Sequence, residues 1–257
     1  MPKGLCCTIV AFAVMLALAA CSGDSGPQGP AGPALSGAWT GFVSLHDEYG
    51  GPLASDSGVT VTASPGASSS VTTTDGSYTL ANLKTGVYTV TFAGPGMGTF
   101  IRDAGQFVGG GNVVIATLNF SQQSTGVITN LALTFNPAQD TLYATGTINA
   151  PAVTGYPRYV RLFYSGAASV GPGVANYTVT GPVAGTAYRV NRTNFSIAVT
   201  GADLAGLQHA FTSGSMVNAV AFGDSFYNNS YTDTTSGKVV YPNVGPTASN
   251  VVQFVMP

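Results

Sequence analysis

The stretch that decides the fold is residues 72–92, TTTDGSYTLANLKTGVYTVTF. Within it, side chains alternate in character at residues 78–81 and again at residues 87–92, and a period of two residues is typical of strands that bury one face. Asp75-Gly76 is a hairpin-type dipeptide because both of its positions tolerate a positive φ. Gly86 separates the second run from the first. The stretch therefore predicts two short strands around two tight turns.

The same rhythm extends over residues 37–122 and predicts a small β-sandwich. Further strands are expected to open at Gly41, to cover residues 59–64, and to close the domain at residues 112–120. Gly and Pro turns separate these runs.

Several residues of this domain have expected structural roles. Asp75 is expected to hydrogen bond to its own turn backbone. Tyr78 and Tyr88 are expected to be core aromatics with a hydrated hydroxyl edge. The glycine-rich residues 104–111 predict a flexible surface loop with Phe107 exposed at its middle.

A set of short motifs in this region resembles the carboxypeptidase regulatory-like domain. The motifs are Gly41-x-Val43, Gly51-Pro52-Leu53, Gly58-Val59-Thr60-Val61, Thr74-Asp75-Gly76-Ser77-Tyr78 and Leu83-x-x-Gly86-x-Tyr88-x-Val90. The resemblance implies a seven-stranded, transthyretin-like sandwich that is non-catalytic and occurs beside peptidases and on secreted and outer-membrane proteins. Cna-B-type repeats share much of the pattern and are the nearest alternative. No catalytic residue is implied.

A second β-sandwich is predicted for residues 123–257, after a polar break at residues 122–126. Its candidate strands are residues 127–135, 142–148, 159–164, 177–180, 188–199, 216–222 and 251–256. Short strands with regular turn signals favour a sandwich. The domain resembles the immunoglobulin and fibronectin type III class in rhythm only. One short helical piece is expected at residues 202–208.

Residues 1–20 have the shape of a secretory signal peptide, with one cation and an apolar run too short for the ~20 residues of a membrane-spanning helix. The run ends in Leu18-Ala19-Ala20-Cys21, which resembles the bacterial lipobox. That resemblance implies that Cys21 is acylated and becomes the new N-terminus, and that Ser22 after it favours the outer membrane. Several acyl chains would hold the protein stably on a bilayer. The other two cysteines lie inside the signal, so no disulfide is expected.

Residues 21–36 carry a glycine at every third position from Gly23 to Gly32, as in collagen. We interpret this segment as a semi-extended tether that lifts the folded part off the lipid. A trimerising stalk is the alternative. So short a repeat offers little pairing between chains, which favours a monomer over a trimer.

The residue inventory disfavours an enzyme. Two histidines, a single glutamate and no free thiol in the mature chain leave few ways to build a zinc site or a catalytic dyad. Gly223-Asp224-Ser225 resembles the opening of the GDS(L) esterase block, but it lies late in a β domain and both histidines precede it. A net charge of −2 provides no basic field for nucleic acid.

The loop at residues 223–233 is the leading candidate for ligand binding, since it mixes aromatic rings with the amide and carboxylate groups that bind sugars. Its candidate ligand-binding residues are Phe226, Tyr227, Asn228, Asn229 and Tyr231. Asp224 and Asp233, with Asn228, are candidate Ca²⁺ ligands because calcium takes hard oxygen donors. The alternative is that a long hairpin needs these residues anyway.

A second candidate surface is a stripe of arginines. Arg158, Arg161, Arg189 and Arg192 fall in the middle strands of the second domain, with Tyr156, Tyr159 and Tyr188 beside them. If the strands of Tyr159 and Tyr188 pair, the stripe would suit an anion or an acidic glycan. The alternative is solvated strand surface.

Together these observations predict a non-catalytic, lipid-anchored lipoprotein of the bacterial cell envelope, in the outer membrane and facing the periplasm or the cell surface. Structural or adhesive display and protein binding is the leading expectation. A glycan-binding surface lipoprotein that uses the Phe226–Tyr231 loop, with or without calcium, is the alternative. No other cofactor is expected.

Overall fold

The computed structural model describes residues 35–149, 156–183 and 187–257. The predicted signal peptide, Cys21 and the tether up to residue 34 lie outside the described residues. Over these described residues the fold is all-β with one short helix. Its elements are, in chain order, β1 (Ser36–His46), β2 (Thr60–Ser64), β3 (Ser68–Val71), β4 (Ser77–Lys84), β5 (Gly86–Ala93), β6 (Phe100–Phe107), β7 (Asn112–Val114), β8 (Leu118–Ser121), β9 (Ile128–Asn136), β10 (Thr141–Ile148), β11 (Arg158–Ser165), β12 (Val179–Gly181), β13 (Tyr188–Val190), β14 (Asn194–Val199), α1 (Gly201–Ala210), β15 (Met216–Asp224), β16 (Tyr231–Thr232), β17 (Val239–Val240) and β18 (Val252–Val255).

The first sandwich consists of strands β1 to β8 in two sheets. One sheet has the order β4-β1-β7, with β8 also on β1, and the other has the order β3-β2-β5-β6. Both β7 and β8 pair with β1 in parallel, one after the other along its length. They therefore act as one interrupted edge strand.

The core of this sandwich is filled by the inward side chains of both sheets. Leu80 faces it from the first sheet and Val90 and Phe92 from the second, and all three are fully buried. Trp39 makes edge contacts with Tyr88 and Phe107 at ring-centroid distances of 5.4 and 5.6 Å. Edge-to-face packing of this kind stabilises a core beyond the burial of area alone.

The two strands predicted from residues 72–92 are present as β4 and β5, but they lie in opposite sheets. The hairpin interpretation of Asp75-Gly76 is also wrong, because this turn joins β3 to β4, which lie in opposite sheets. The predicted hydrogen bonds of Asp75 are confirmed. Its carboxylate accepts hydrogen bonds from the Thr73 hydroxyl and from the hydroxyl and backbone N–H of Ser77, which lower the pKa of Asp75.

Two other predictions for this sandwich are wrong. Phe107 is buried rather than exposed, because β6 extends as far as Phe107 and the chain leaves the strand only after it. The β5–β6 ladder shifts register between Tyr88 and Thr89, opposite Gly105 with its φ of +86°, which is how a bulge re-aims a strand. The hydroxyl of Tyr78 is buried rather than hydrated, whereas that of Tyr88 donates to the Lys84 carbonyl.

The second sandwich packs a three-stranded sheet, β14-β10-β9, against a five-stranded sheet, β12-β11-β15-β18 with β13 also on β11. The predicted strands are confirmed except that residues 188–199 break into β13 and β14. The break is needed because β13 pairs with β11 and β14 pairs with β10, in different sheets. The helical piece expected at residues 202–208 is α1, which buries Leu204 and Leu207.

Strand β11 is buried along its whole length because both of its faces are covered. One face contributes Leu162 and Tyr164 to the core between the sheets. The other face contributes Phe163 to a smaller cluster with Tyr177 and Tyr241, which come from the long connections over the sheet. A strand covered on both faces has the near-continuous apolar character seen in residues 159–164.

Residues 35–257 form one compact unit that contains both sandwiches. Among the described residues, no helix is long and apolar enough to cross a membrane.

Gly76 offers a direct test of the turn between the sheets. Gly76→Ala should lower the free energy of unfolding by about 3 kcal/mol or more, because the added Cβ would lie 1.9 Å from the Val43 carbonyl oxygen at a φ of +78°. Gly96→Ala is the control, since its φ is +70° with no atom within 4 Å of the added Cβ, and it should cost about 1 kcal/mol. Urea unfolding measures both, and equal losses would contradict the described contact.

Candidate functional site

The chain's single glutamate lies at the junction between the two sandwiches. Glu48 follows β1, and its carboxylate accepts hydrogen bonds from the backbone N–H of Thr125 at 2.8 Å, the Thr125 hydroxyl at 2.5 Å and the Ser124 hydroxyl at 3.1 Å. The Arg158 guanidinium, from β11, lies 2.9 Å from the same carboxylate. A side chain of the first sandwich therefore binds both the linker and the second sandwich.

The electrostatics of this junction favour an ionised Glu48. Burial raises the pKa of its carboxyl, but the Thr125 hydrogen bonds and the Arg158 charge outweigh burial, so the net shift is downward. Arg158 also lies over the Tyr49 ring, 4.9 Å from its centroid. Burial, with the Glu48 charge acting in the same direction, raises the pKa of Tyr49 to about 12. The Glu48–Arg158 ion pair is thus partly desolvated, and both carboxylate oxygens of Glu48 accept hydrogen bonds. A buried ion pair contributes to stability when its oxygens are hydrogen bonded in this way.

The loop predicted to bind ligand contacts the linker and the first sandwich. We call residues 225–230 the strap. The Ser225 hydroxyl donates to the Gln122 carbonyl at 2.5 Å, and the Phe226 N–H donates to the Glu48 carbonyl at 3.0 Å. Asn229 accepts a hydrogen bond from the Ser121 N–H at 3.1 Å and donates one to the Asn119 carbonyl at 2.7 Å. These contacts account for most of the polar groups that made the loop a sugar-binding candidate.

The aromatic rings of the strap are also engaged. Phe226 packs over Gly50 and makes an edge contact with Tyr159 at 5.9 Å, although 41% of its surface stays exposed. Tyr227 lies 4.6 Å from the His46 ring. Asn228 accepts a hydrogen bond from the Ser230 N–H at 3.3 Å. The strap therefore forms a contact between the sandwiches, and its ligand-binding role stays a prediction.

Tyr231 has a different environment from the other candidate residues. It lies at the mouth of a cavity of about 250 Å³, which we call the Tyr231 cleft. The cleft is lined by Thr89 of β5, by Ile101 and Asp103 of β6, and by the segment Tyr231, Thr232, Asp233 and Thr234. The Tyr231 ring makes an edge contact with Phe100 at 6.0 Å, which holds it against the first sandwich. Sequence reasoning missed the β5 and β6 side of this cleft because no local pattern links it to Tyr231.

The two candidate calcium ligands are already bonded to other groups. Asp224 is fully buried, and its carboxylate lies 2.7 Å from the Arg161 guanidinium. Burial raises the pKa of the Asp224 carboxyl, against the opposing effect of Arg161 and of the Ser225 N–H. Asp233 accepts hydrogen bonds from the hydroxyl and N–H of Ser236. Among the described residues, no group of three or more His, Cys, Asp or Glu side chains could hold a metal ion, so the calcium site stays a prediction.

The predicted arginine stripe is wrong, although β11 and β13 pair with each other, which the prediction required. Arg158 and Arg161 are three residues apart on one strand, and alternation places them on opposite faces. Each is buried in an ion pair. Arg189 and Arg192 remain exposed beside a separate cavity of about 240 Å³ at the β13–β14 turn.

The residues that resemble the GDS(L) esterase block are structural. Ser225 is 1% exposed, and its hydroxyl donates to the Gln122 carbonyl. His46 contacts the Gly50 carbonyl and the Ser44 hydroxyl through its ring nitrogens, and His209 is on the exposed side of α1. A nucleophile needs a base within hydrogen-bond reach, and the described contacts give Ser225 a carbonyl instead.

Comparisons with known proteins give only distant similarity. No protein-family model matches the chain, and no curated protein matches it. The chain is similar to a candidate carbohydrate-binding protein from Bacteroides uniformis (16% identity, TM-score 0.29, 86% of this chain and 99% of that chain covered). It is also similar to a DUF3823 family protein from Parabacteroides merdae (15%, 0.29, 86% and 99%) and to the major pilin SpaD from Corynebacterium diphtheriae (15%, 0.29, 86% and 65%). At these values the similarity carries no argument about function, and the resemblance to the carboxypeptidase regulatory-like domain is not confirmed.

Glu48→Gln tests the junction through its pH dependence. At pH 7 the variant should lose about 3 kcal/mol of unfolding free energy, because Arg158 is left without a counter-charge. Since the folded-state pKa of Glu48 lies below its ordinary value of 4.5, the charge stabilises the fold above that value and is lost as pH falls through the folded-state pKa. The difference from wild type should therefore shrink as the pH falls below 4.5 and through the folded-state pKa.

Urea unfolding at closely spaced pH values measures this difference. Asp140→Asn is the matched control, because Asp140 is an exposed turn carboxylate. Its difference from wild type should stay small at every pH. A Glu48→Gln difference that does not change with pH would contradict the role of the charge.

Proposed function

We propose that this chain is a non-catalytic module of the bacterial cell envelope that serves structural or adhesive display and protein binding. The observation that supports it best is the junction, where Glu48 and the strap join two sandwiches into one compact unit. Domains with small polar interfaces move relative to each other, and the buried ion pair and the strap contacts would limit such bending between the two halves. Such stiffness suits an element that holds a surface away from a membrane.

The proposed membrane attachment rests on the sequence. Leu18-Ala19-Ala20-Cys21 would place several acyl chains on Cys21, and each buried CH₂ contributes ~0.8 kcal/mol to membrane binding. The glycine-rich residues after Cys21 would then act as the tether, with the outer membrane as the proposed site.

Cys21→Ser tests the anchor in cells that express the full chain. The wild-type protein should sediment with membranes and require detergent for release, while Cys21→Ser should lose its lipid and leave the membrane fraction. Cys6→Ser is the matched control, since Cys6 lies inside the predicted signal, and it should behave like wild type. Protease treatment of intact cells then separates surface display from a periplasmic location.

Two outcomes would contradict this proposal. One is Cys21→Ser remaining in the membrane fraction to the wild-type extent. The other is turnover of generic esters or glycosides by the full chain that Ser225→Ala or another single substitution abolishes, since that would require catalytic residues.

Glycan binding at the Tyr231 cleft is the second candidate function. The supporting observation is the lining of the cleft, which places an aromatic ring beside two carboxylates, Asp103 and Asp233, and the hydroxyls of Thr89, Thr232 and Thr234. Sites for neutral small molecules combine an apolar wall with a few polar groups that fix orientation. The strap residues Phe226, Tyr227 and Asn229 do not line this cleft. The proposed site is therefore at Tyr231, which follows the strap.

Calorimetry and a glycan array with the full chain, in Ca²⁺ and again in EDTA, test this candidate. Asp103→Asn should weaken the affinity for any bound sugar about tenfold, because a hydrogen bond to a charged group contributes about 1.5 kcal/mol or more. Tyr231→Phe should weaken it less, since it keeps the ring. Asp140→Asn is the control carboxylate and should have no effect.

Tyr227→Ala distinguishes the cleft from the strap. It should leave sugar affinity unchanged, because the Tyr227 ring packs on His46 outside the cleft. A loss at Tyr227→Ala with none at Asp103→Asn would return the site to the strap. No sugar bound in either condition would exclude this candidate and leave the structural proposal in place.

A further inference from the structure

Most positive side chains of the described residues are already engaged. Arg158 and Arg161 form ion pairs, Arg102 donates to the Ala116 carbonyl, and Lys238 donates to the Val174 and Tyr177 carbonyls.

The guanidinium groups of Arg189 and Arg192 differ from these. Within the described part of the chain, neither takes part in a hydrogen bond or an ion pair, and both side chains are exposed. Two positive charges three residues apart are therefore left without a counter-charge in a protein whose net charge is −2.

The backbone that carries these two arginines is held on both sides. Arg189 is in β13, which pairs with β11 in the five-stranded sheet, and the chain then crosses to β14, which pairs with β10 in the other sheet. Val190 and Phe195 flank the turn and are buried in the core. The Ile148 N–H donates to the Thr193 carbonyl at 2.8 Å, which fixes the turn itself. Fixed positions reduce the entropy that binding would otherwise cost.

An open cavity of about 240 Å³ lies at the turn and is lined by Arg189, Val190, Asn191, Arg192, Asn194, Phe195 and Ser196. We call this cavity the arginine pocket. It is slightly smaller than the ~300–1,000 Å³ typical of drug-sized ligands, which suits one sugar unit. Among the described residues, its lining contains no acidic side chain. An entering anion would therefore meet two arginines, two amides and a hydroxyl without a competing carboxylate.

We propose that the arginine pocket binds the anionic group of an acidic polysaccharide, a uronate carboxylate or a sulfate ester. The guanidinium presents its N–H donors in a planar fork that matches a carboxylate or sulfate with two parallel hydrogen bonds. The Asn191 and Asn194 amides and the Ser196 hydroxyl provide donors and acceptors for the neighbouring sugar hydroxyls. The site is separate from the Tyr231 cleft, which carries negative charge.

The charge distribution favours an acidic polysaccharide over other polyanions. Nucleic acid binding depends on many phosphate contacts and a wide basic field, and the net charge of −2 opposes that field. Recognition of anionic lipid surfaces uses clusters of about four to eight basic residues, and this pocket has two. One pocket with two arginines fits a single charged sugar in a chain.

Calorimetry of the full chain with defined probes tests the proposal. Polygalacturonate and dextran sulfate are the acidic polysaccharides, neutral dextran is the uncharged one, and single-stranded DNA and phosphatidylglycerol vesicles are the other polyanions. At low salt, saturable binding is expected with polygalacturonate or dextran sulfate and not with dextran. Arg189→Gln/Arg192→Gln should weaken that binding at least tenfold.

Charge-matched controls separate a built site from a general charge effect. Arg192→Gln and Lys84→Gln each remove one exposed positive charge, and Lys84 lies in the first sandwich, away from the pocket lining. Arg192→Gln should weaken binding severalfold while Lys84→Gln leaves it unchanged. Arg192→Lys keeps the charge and loses the fork, so it should restore binding only in part.

Three results would overturn the proposal. The first is no binding of either acidic polysaccharide, with circular dichroism showing a folded wild-type protein. The second is an equal loss for Lys84→Gln and Arg192→Gln. The third is tighter binding to DNA or to phosphatidylglycerol vesicles than to both acidic polysaccharides. Sugar binding lost in Asp103→Asn but kept in the arginine variants would concern the Tyr231 cleft and would not support the arginine pocket.

Discussion

The hydrogen-bonded ion pair of Glu48 and Arg158 is the constraint on which the relation between the two sandwiches depends. The partners of Glu48 in the linker lie 76 and 77 residues further along the chain. A buried carboxylate without partners would cost several kcal/mol, so linker, turn and β11 must meet in one arrangement for it to be satisfied. The strap then adds hydrogen bonds on the same side of the junction, and the two hydrophobic cores become parts of one unit.

A second ion pair organises the outer layer of the second sandwich. Arg161 and Asp224 are fully buried on the face of β11 and β15 that the long connections cover, and the Tyr241 ring lies 3.9 Å from the Arg161 guanidinium carbon. The net stability from such a pair is small because desolvation offsets the attraction. The pair instead favours one arrangement of the covering connections, because they must place the Tyr241 ring over the Arg161 charge.

The sequence predicted what depends on local pattern and missed what depends on distant partners. Alternation located most strands within a few residues, because burial of one face imposes a period of two and turns mark the ends. An Asp-Gly turn has the same local form whether it joins paired strands or opposite sheets, so the role of Asp75-Gly76 could not be read from it. Phe107 was misjudged because Gly105 lies at a bulge within β6, so the strand extends to Phe107 and the glycine-rich loop begins only after it.

The candidate site shows the same division. The composition of residues 223–233 indicated hydrogen bonding and ring contacts correctly, but it carried no information on whether the partner is a ligand or the first sandwich. Glu48 had no local signal at all beyond being the single glutamate. The arginine stripe failed on a point that was available from the sequence, because residues 158 and 161 have opposite parity on a strand.

The parallel pairing of β7 and β8 with β1 has a kinetic consequence. Strand β1 runs through the middle of its sheet, yet one of its neighbours comes from the far end of the first sandwich. The chain loses the entropy of closing a loop over that distance before the contacts between β1 and its late partners form. Topologies of this kind therefore fold slowly. Until Ser121 has emerged and docked, β1 presents an unpaired edge that another chain can occupy. Strand β1 is therefore synthesised before the strands β7 and β8 that pair with it, and its pairing is completed last. Misassembly can occur in the interval between these two events.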